Sequence, residues 1–447
     1  MEFSSDSLYR QLNRHPVPPQ YWVAYSGGLD SHVLLHALAA LRSQPGCVAG
    51  AVHVNHGLQH AAARMEAHCR SVCAALGLEL VILQVDARAG SGDSPEAAAR
   101  TARYRELAGW LPAGHCLLTA QHRDDQAETL LLQLLRGSGV GGLAAMPESA
   151  PFGAGRLLRP LLKYTRQALH ACADSQQLTW IEDPSNTDTA FDRNYLRREV
   201  MPALRRRWPS ATAVLARSAG HCAEAAAVMD QLGADDLQVL AGRAPGTLSL
   251  SGLAVLPVVR QRNALRYWIK AATGTAPSTA ILARILSDVL ASRPDAEPCI
   301  RWGGYEIRRY RDDIYLLEQR IEPRRGRVLN WTLGAPLALP DAGGILSVQP
   351  EPGRGIRAEM LARSGVHVRY RQGGERCRPV GRGHHHSLKK LFQEEGIPPW
   401  ERALIPLIYV EDQLAMVPGF WVCEPFQARP AETGLLISWS GAGKSPQ

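Results

Sequence analysis

The sequence predicts an α/β protein: a parallel-sheet N-terminal domain, then a mainly helical middle domain, then a small α+β C-terminal domain. Three observations predict it. The first 200 residues alternate short, near-continuously apolar runs with segments of helical spacing, the pattern of a parallel sheet covered on both faces. Residues 211–295 are rich in Ala and Leu at helical spacing, with few strand signals. From residue 366 to about 440, short strands and helices mix again. At roughly 100–200 residues per domain, 447 residues suggest two to four domains.

Taken in order, residues 21–25 (Tyr-Trp-Val-Ala-Tyr) form a buried strand, 31–41 a helix, 48–54 a strand and 60–76 an Ala-rich helix. Residues 78–85 are a third strand. Ser94 and Pro95 open a helix as N-cap and first helical residue. Residues 115–119 are a fourth strand, 125–136 a helix, 163–177 another helix and 178–181 a further strand. The predicted divisions are 1–210, a helical middle domain over 211–320 with short strands after 300, a Pro- and Gly-rich connecting region over 321–360, and a basic domain over 361–440.

No basic, then apolar, leader opens the chain, and no run of 18 apolar residues would span a membrane. The nine cysteines include no Cys-x-x-Cys pair, the pattern of scattered reduced thiols in a cytoplasmic protein. Cys69 and Cys73 share a helix face and read as core. The 50 Lys and Arg exceed the 42 Asp and Glu by eight, which favours a polyanionic partner.

The sharpest motif is Ser26-Gly27-Gly28-Leu29-Asp30-Ser31, between the first strand and its helix. Two glycines allow a tight turn whose N–H groups approach an anion, and the helix N-terminus adds partial positive charge. The cradle lacks the lysine of Gly-x-x-x-x-Gly-Lys-[Ser/Thr]. It resembles the PP-loop of the ATP pyrophosphatase superfamily, whose fold is adenine nucleotide alpha hydrolase-like and whose members split ATP between the α- and β-phosphates.

Further motifs follow in order: Val52-His53-Val54-Asn55-His56-Gly57; Arg100, Arg103 and Tyr104 on a helix; Gln121-His122-Arg123-Asp124-Asp125 leading to Glu128; Arg136; Trp180-Ile181-Glu182-Asp183; Arg193-Asn194-Tyr195-Leu196-Arg197; and Ser387-Leu388-Lys389-Lys390. This ordered set resembles the family of tRNA(Ile)-lysidine synthases over most of the chain. The resemblance implies a ligase that uses ATP and Mg²⁺ to attach L-lysine to C2 of the wobble cytidine of tRNA(Ile) with a CAU anticodon. An adenylated cytidine is the intermediate, and AMP and pyrophosphate are the products. A homodimer is left open.

The three strand-end motifs belong at the carboxyl edge of the sheet, where open α/β folds bind ligands. Ser26, Gly27, Gly28, Leu29, Asp30 and Ser31 are expected to hold ATP, with His56 and His122 beside them. Asp30 is the expected metal or catalytic carboxylate. Asp124, Asp125 or Glu128 is expected to take the lysine proton or hold its ammonium, although Asp125-x-x-Glu128 also reads as a capping box. Arg100, Arg103, Arg136, Arg193 and Arg197 are expected at phosphates or tRNA backbone. Gln121 stands where the family usually has histidine, so no acid–base role is assigned there.

Residues 369–390 hold seven basic side chains against one acidic, Glu375, and Arg376, Arg378, Lys389 and Lys390 are the expected RNA contacts. Consecutive His384, His385 and His386 alternate faces in an extended chain and are not expected to close a metal site. A tRNA thiolase is the first rival, disfavoured by the lack of Cys-x-x-Cys. A non-catalytic basic RNA-binding protein is the second, disfavoured by the intact cradle.

Overall fold

The computed structural model describes residues 2–55, 60–85, 95–182, 188–293, 296–319, 326–363 and 365–440. His56, Ser94 and Asp183 lie outside them. The chain divides into two compact units, Met1–Leu232 and Gly233–Gln447. Among the described residues, no helix is long and apolar enough to cross a membrane.

The first unit contains α1 (Ser5–Leu12), β1 (Tyr21–Ala24), α2 (Leu29–Ala40), β2 (Ala49–Asn55), α3 (His60–Leu76), β3 (Glu79–Gln84), α4 (Pro95–Trp110), β4 (Cys116–Leu118) and α5 (Arg123–Leu135). It continues through α6 (Val140–Leu143), β5 (Ser149–Phe152), β6 (Gly155–Leu158), α7 (Arg166–Ser175), α8 (Asp192–Tyr195), a π-helical turn (Leu196–Val200), α9 (Met201–Arg207) and α10 (Ala211–Val239), which runs on into the second. Helix α1, missed in the sequence, begins at a reciprocal Ser4–Ser7 cap.

The sheet order is β3-β2-β1-β4-β6-β5, parallel except for the edge pair β5–β6. Each face is covered, as apolar strands require. Tyr21 and Val23 point into a core with Leu34, Leu38 and Leu169, while Trp22 points into another with Leu107, Leu111 and Leu117. Cys69 and Cys73 are buried in the first of these, as expected. The order runs from β1 to β2 and β3 on one side, then returns to β4 on the other. That leaves a topological switch point between the carboxyl ends of β1 and β4.

Residues 178–181 do not form a strand. The place beside β4 is taken by β6, reached through a tight hairpin at Gly153 (φ +52°), where a Cβ would stand 2.0 Å from the Ala108 carbonyl oxygen. The 178–181 segment instead supports the cradle: the Ile181 N–H donates to the Gly27 carbonyl oxygen at 3.1 Å.

The second unit begins with β7 (Leu248–Ser249), α11 (Leu250–Val255), α12 (Val258–Thr273), α13 (Thr279–Arg284), a π-helical turn (Ile285–Leu290), β8 (Cys299–Trp302), β9 (Tyr305–Tyr310) and β10 (Asp313–Glu318). Helices and the antiparallel sheet β7-β10-β9-β8 enclose Leu265, Ile269, Ile307 and Ile314. Then come β11 (Val328–Asn330), β12 (Leu337–Ala338), β13 (Ile345–Pro352), β14 (Ile356–Arg357), α14 (Ala358–Arg363), β15 (Val366–Tyr370), β16 (Arg376–Cys377), β17 (His386–Ser387), α15 (Leu388–Glu394), α16 (Pro399–Arg402), β18 (Pro406–Val410), β19 (Gln413–Val417), β20 (Trp421–Val422) and β21 (Thr433–Ser440).

The stretch read as a connecting region is not a linker. Strand β11 pairs with β15, β13 pairs along its length with β21, and Trp331 and Leu346 are buried in the C-terminal core. Its Pro and Gly residues obscured strands whose partners lie far along the chain. The all-reduced reading of the cysteines also gives way: Cys377 and Cys423, both buried in that core, are joined by a disulfide. Sequence separation of 46 residues hid the pairing.

Candidate active site

The cradle follows β1 directly. Gly27 adopts φ +85°, so the backbone favours glycine, and a Cβ there would displace the Met65 thioether, 2.8 Å away. Gly28 caps α2 with extended backbone and no side-chain bond, leaving the helix N–H groups open. Ser31, buried in the first turn, accepts from the Ser26 N–H at 3.2 Å, lies 3.0 Å from the Ser26 hydroxyl and donates to the Gly28 carbonyl oxygen. The two serines therefore hold the loop's shape. Leu29 turns its side chain into the core, so only its backbone faces the cradle. His53, part of the 52–57 motif but given no role of its own there, is buried with Nδ1 2.8 Å from the Tyr25 carbonyl oxygen, bracing the end of β1 from β2.

Across the switch point stands His122, 1% exposed, at the N-cap of α5. Its ring lies 3.6 Å from Asp30, 3.6 Å from Asp124 and 3.4 Å from Asp125. Burial alone would lower its pKa, but Asp125, then Asp30 and Asp124, outweigh burial and raise it, favouring the imidazolium. The capping box is His122 with Asp125, not Asp125 with Glu128: the His122 N–H donates to Asp125 Oδ2 at 2.9 Å, and His122 Nδ1 lies 3.4 Å from the Asp125 backbone nitrogen.

Glu128, nearly fully buried, is bonded instead to Arg193 (3.1 Å) and Arg197 (2.8 Å). The same arginines reach Asp125 Oδ1 at 2.9 and 2.8 Å. Burial would raise the Asp125 carboxyl, yet His122, Arg193 and Arg197 hold it below its ordinary range. Asp124 accepts from the Arg166 N–H at the start of α7 and pairs with Arg205. Arg193 and Arg197 are thus placed on carboxylates rather than on an open phosphate surface. Arg205, the first residue of the run Arg205-Arg206-Arg207-Trp208, completes the network. Four carboxylates (Asp30, Asp124, Asp125, Glu128) face three arginines and a histidine that favours its charged form.

Asp30 differs from its neighbours. Its Oδ1 is buried without a hydrogen-bond partner among the described residues. Among the described residues, no group of three or more His, Cys, Asp or Glu is arranged to cage a metal by protein ligands alone. One unused carboxylate oxygen beside an anion cradle does fit a hard divalent cation shared with substrate phosphates.

Arg100 and Arg103 flank Tyr104 on α4, with guanidinium carbons 4.9 and 5.9 Å from its ring centre. Arg136 is exposed at the C-cap of α5. In the second unit, Arg369 pairs with Asp412, Arg371 with Glu375, Arg378 with Glu424 and Arg382 with Glu394. Among the described residues, Arg376 bonds only to the His385 carbonyl oxygen, and neither Lys389 nor Lys390 has a salt bridge.

A sheet with an anion cradle at its switch point, and an Asp–His contact across it, defines a PP-loop protein. A PP-loop domain model matches residues 2–204, a TilS substrate binding domain model residues 248–315, and a TilS substrate C-terminal domain model residues 366–439. The chain is 45% identical to the tRNA(Ile)-lysidine synthase of Methylococcus capsulatus, covering 98% of this chain and 100% of that one. It is 43% identical to the tRNA(Ile)-lysidine synthases of Coxiella burnetii (97% and 96% covered) and Alkalilimnicola ehrlichii (96% and 96%). The chain belongs to the tRNA(Ile)-lysidine synthase family, an ATP-using enzyme of tRNA modification, and neither the thiolase nor the non-catalytic reading is favoured.

Proposed function

We propose that this chain activates the wobble cytidine of a CAU-anticodon tRNA(Ile) with ATP and joins L-lysine to C2 of that base, moving its codon from AUG to AUA. The observation that carries the reading is the open cradle at 26–31 with Asp30 set against His122 at the β1/β4 crevice.

The C2 oxygen of cytidine attacks the α-phosphorus, and the bond to the bridging oxygen breaks to release pyrophosphate. The lysine ε-nitrogen then attacks C2, and AMP leaves with the former C2 oxygen. Cradle N–H groups from Gly27, Gly28 and the first turn of α2 hold phosphate oxygens as charge develops. Asp30 Oδ1 would hold Mg²⁺, which when bound would supply positive charge to stabilise pyrophosphate as a leaving group.

Lysine carries an ammonium with a free pKa near ~10.4, so it must lose a proton before attack. Asp125 is a poor acceptor, because it is held low and already bonded to two arginines. Glu128 is bonded to the same pair. Their role is to fix the wall of the crevice. The regions around 248–315 and 366–439 handle the body of the tRNA in the cytoplasm, with Arg376, Lys389 and Lys390 on backbone phosphates.

The test supplies the protein with ATP, Mg²⁺, labelled lysine and a minor tRNA(Ile) transcript. Label entering that RNA, and not tRNA(Met), is expected. Transfer of sulfur, or no lysine transfer across a salt series, contradicts the reading.

A further inference from the structure

The second unit holds two hydrophobic cores, one drawn from residues 240–314 and the other from 331–437. Between them lies a cluster of rings and guanidinium groups, where the β9–β10 hairpin meets the segment from α15 to α16. Arg402 of α16 is only 6% exposed. Its Nε donates to the Ile397 carbonyl oxygen at 2.7 Å, and an amino nitrogen donates to the Tyr310 hydroxyl of β9 at 3.2 Å. Trp400 meets Tyr310 and Tyr315 edge-on, with ring centres 6.3 and 5.1 Å apart. The Arg308 guanidinium carbon stands 5.4 Å from the Trp400 ring centre. At the hairpin turn Arg311 takes φ +55° and donates to the Gln393 carbonyl oxygen of α15.

Two apolar faces pressed together can slide, because burial of apolar surface has no direction. The contacts here are directional. Edge-on rings, a cation over a ring and hydrogen bonds each tolerate a narrow range of angles. Turning the hairpin away would also leave a buried Arg402 donor without its acceptor. We infer that Tyr310, Trp400 and Arg402 are positioning residues that hold the 248–315 and 366–439 regions at one fixed angle, so that both grip a single tRNA together. The inference rests on the proposed handling of the tRNA body by these two regions. Two binding surfaces held at the right spacing make the second contact intramolecular, which raises affinity without adding a contact. Loosening the joint keeps both surfaces and loses that gain. The three residues act through the two regions and not on the RNA.

The experiment uses the full chain with Tyr310→Phe, Trp400→Ala and, as the conservative replacement, Trp400→Phe, each checked for folding by thermal melting. Binding is measured at one salt concentration for the minor tRNA(Ile) transcript and for the separate hairpins of its anticodon and acceptor arms. In Trp400→Ala, affinity for the transcript should fall about tenfold, while affinity for each hairpin stays within about twofold of wild type. Trp400→Phe, which keeps an edge-on ring, should recover most of the loss. Tyr310→Phe removes one hydroxyl from a folded hairpin and should weaken the transcript alone, by a smaller factor. Folded Tyr310→Phe and Trp400→Phe proteins that both match wild type, with Trp400→Ala matching it or failing to fold, overturn the joint's role. Equal weakening for transcript and hairpins also overturns it, since a loss confined to one surface needs no fixed angle. Wild-type protein that binds neither transcript nor hairpins contradicts the tRNA reading itself, and the joint's role with it. Wild-type protein that binds the transcript but transfers no lysine contradicts the reaction and not the joint.

Discussion

The His122 imidazole lies 3.6 Å from the Asp30 carboxylate, joining the N-cap of α5 to the first turn of α2 across the crevice between β1 and β4. Two elements separated by about ninety residues thus meet at the place where strand order reverses.

The two cradle glycines should separate on substitution. Gly27→Ala places a side chain at positive φ and 2.8 Å from Met65, so a loss of about 1–3 kcal/mol of stability and of ATP binding is expected. Gly28 has ordinary backbone angles, and its nearest protein atom to a new Cβ would be 3.6 Å away. Gly28→Ala should melt within a few degrees of wild type and still bind ATP at least tenfold more weakly, because a methyl group would intrude on the anion. Calorimetry of melting and of ATP binding checks both; wild-type ATP affinity in Gly28→Ala removes that glycine from the site.

Arg197 should matter for stability more than a surface cation does. It holds Glu128 at 2.8 Å and Asp125 at 2.8 Å, and its side chain is 28% exposed. Arg197→Ala is expected to cost about 2–3 kcal/mol in chemical denaturation, below the full figure for a wholly buried pair. Arg197→Lys should recover only part of it, since an ammonium cannot bridge both carboxylates as a planar fork does. A loss under about 0.5 kcal/mol would place Arg197 among ordinary surface charges.

Acid should weaken the first unit through His32. It is 2% exposed, with Nδ1 2.7 Å from the Tyr25 hydroxyl. Burial, then nearby His36 and His68, lower its pKa from 6.5 to about 4. Its neutral form is the one that folds, so its contribution is intact above pH 6.5 and is lost as pH falls toward 4, amounting to about 3 kcal/mol. Denaturation midpoints measured from pH 7 to 4 should fall less steeply in His32→Gln. Parallel curves for the two proteins would contradict this.

Much of this was legible in the sequence. Ser26 to Ser31 lay between an apolar strand and an apolar helix, so turn, cradle and helix start followed from local chemistry. What was not legible depends on distant partners. Strand β6 is four residues long and gains its place from β4 and a Gly153 turn, so the apolar 178–181 run was the better strand by pattern. Arg205 looked like any member of a basic run until α9 placed it against Asp124. Glu128 looked like a cap because spacing cannot show that His122 fills that role.

The basic stretch of the second unit should also split. Arg378 pairs with Glu424 and Arg382 with Glu394, so their neutralisation should chiefly alter local stability. Neutralising Arg376, Lys389 and Lys390 together should reduce the slope of log affinity for tRNA against log salt by about 2–3. Filter binding between low and moderate salt measures it, and an unchanged slope would move the RNA surface elsewhere.

The most direct test of the crevice as the seat of ATP cleavage is AMP formation by Asp30→Asn, measured with labelled ATP, Mg²⁺, lysine and tRNA(Ile) transcript beside tRNA binding by the same protein. The expected result is AMP release reduced at least a hundredfold, with salt-sensitive tRNA binding within about threefold of wild type. AMP release near the wild-type rate would contradict the account, as would equal loss of tRNA binding in a folded Asp30→Asn protein.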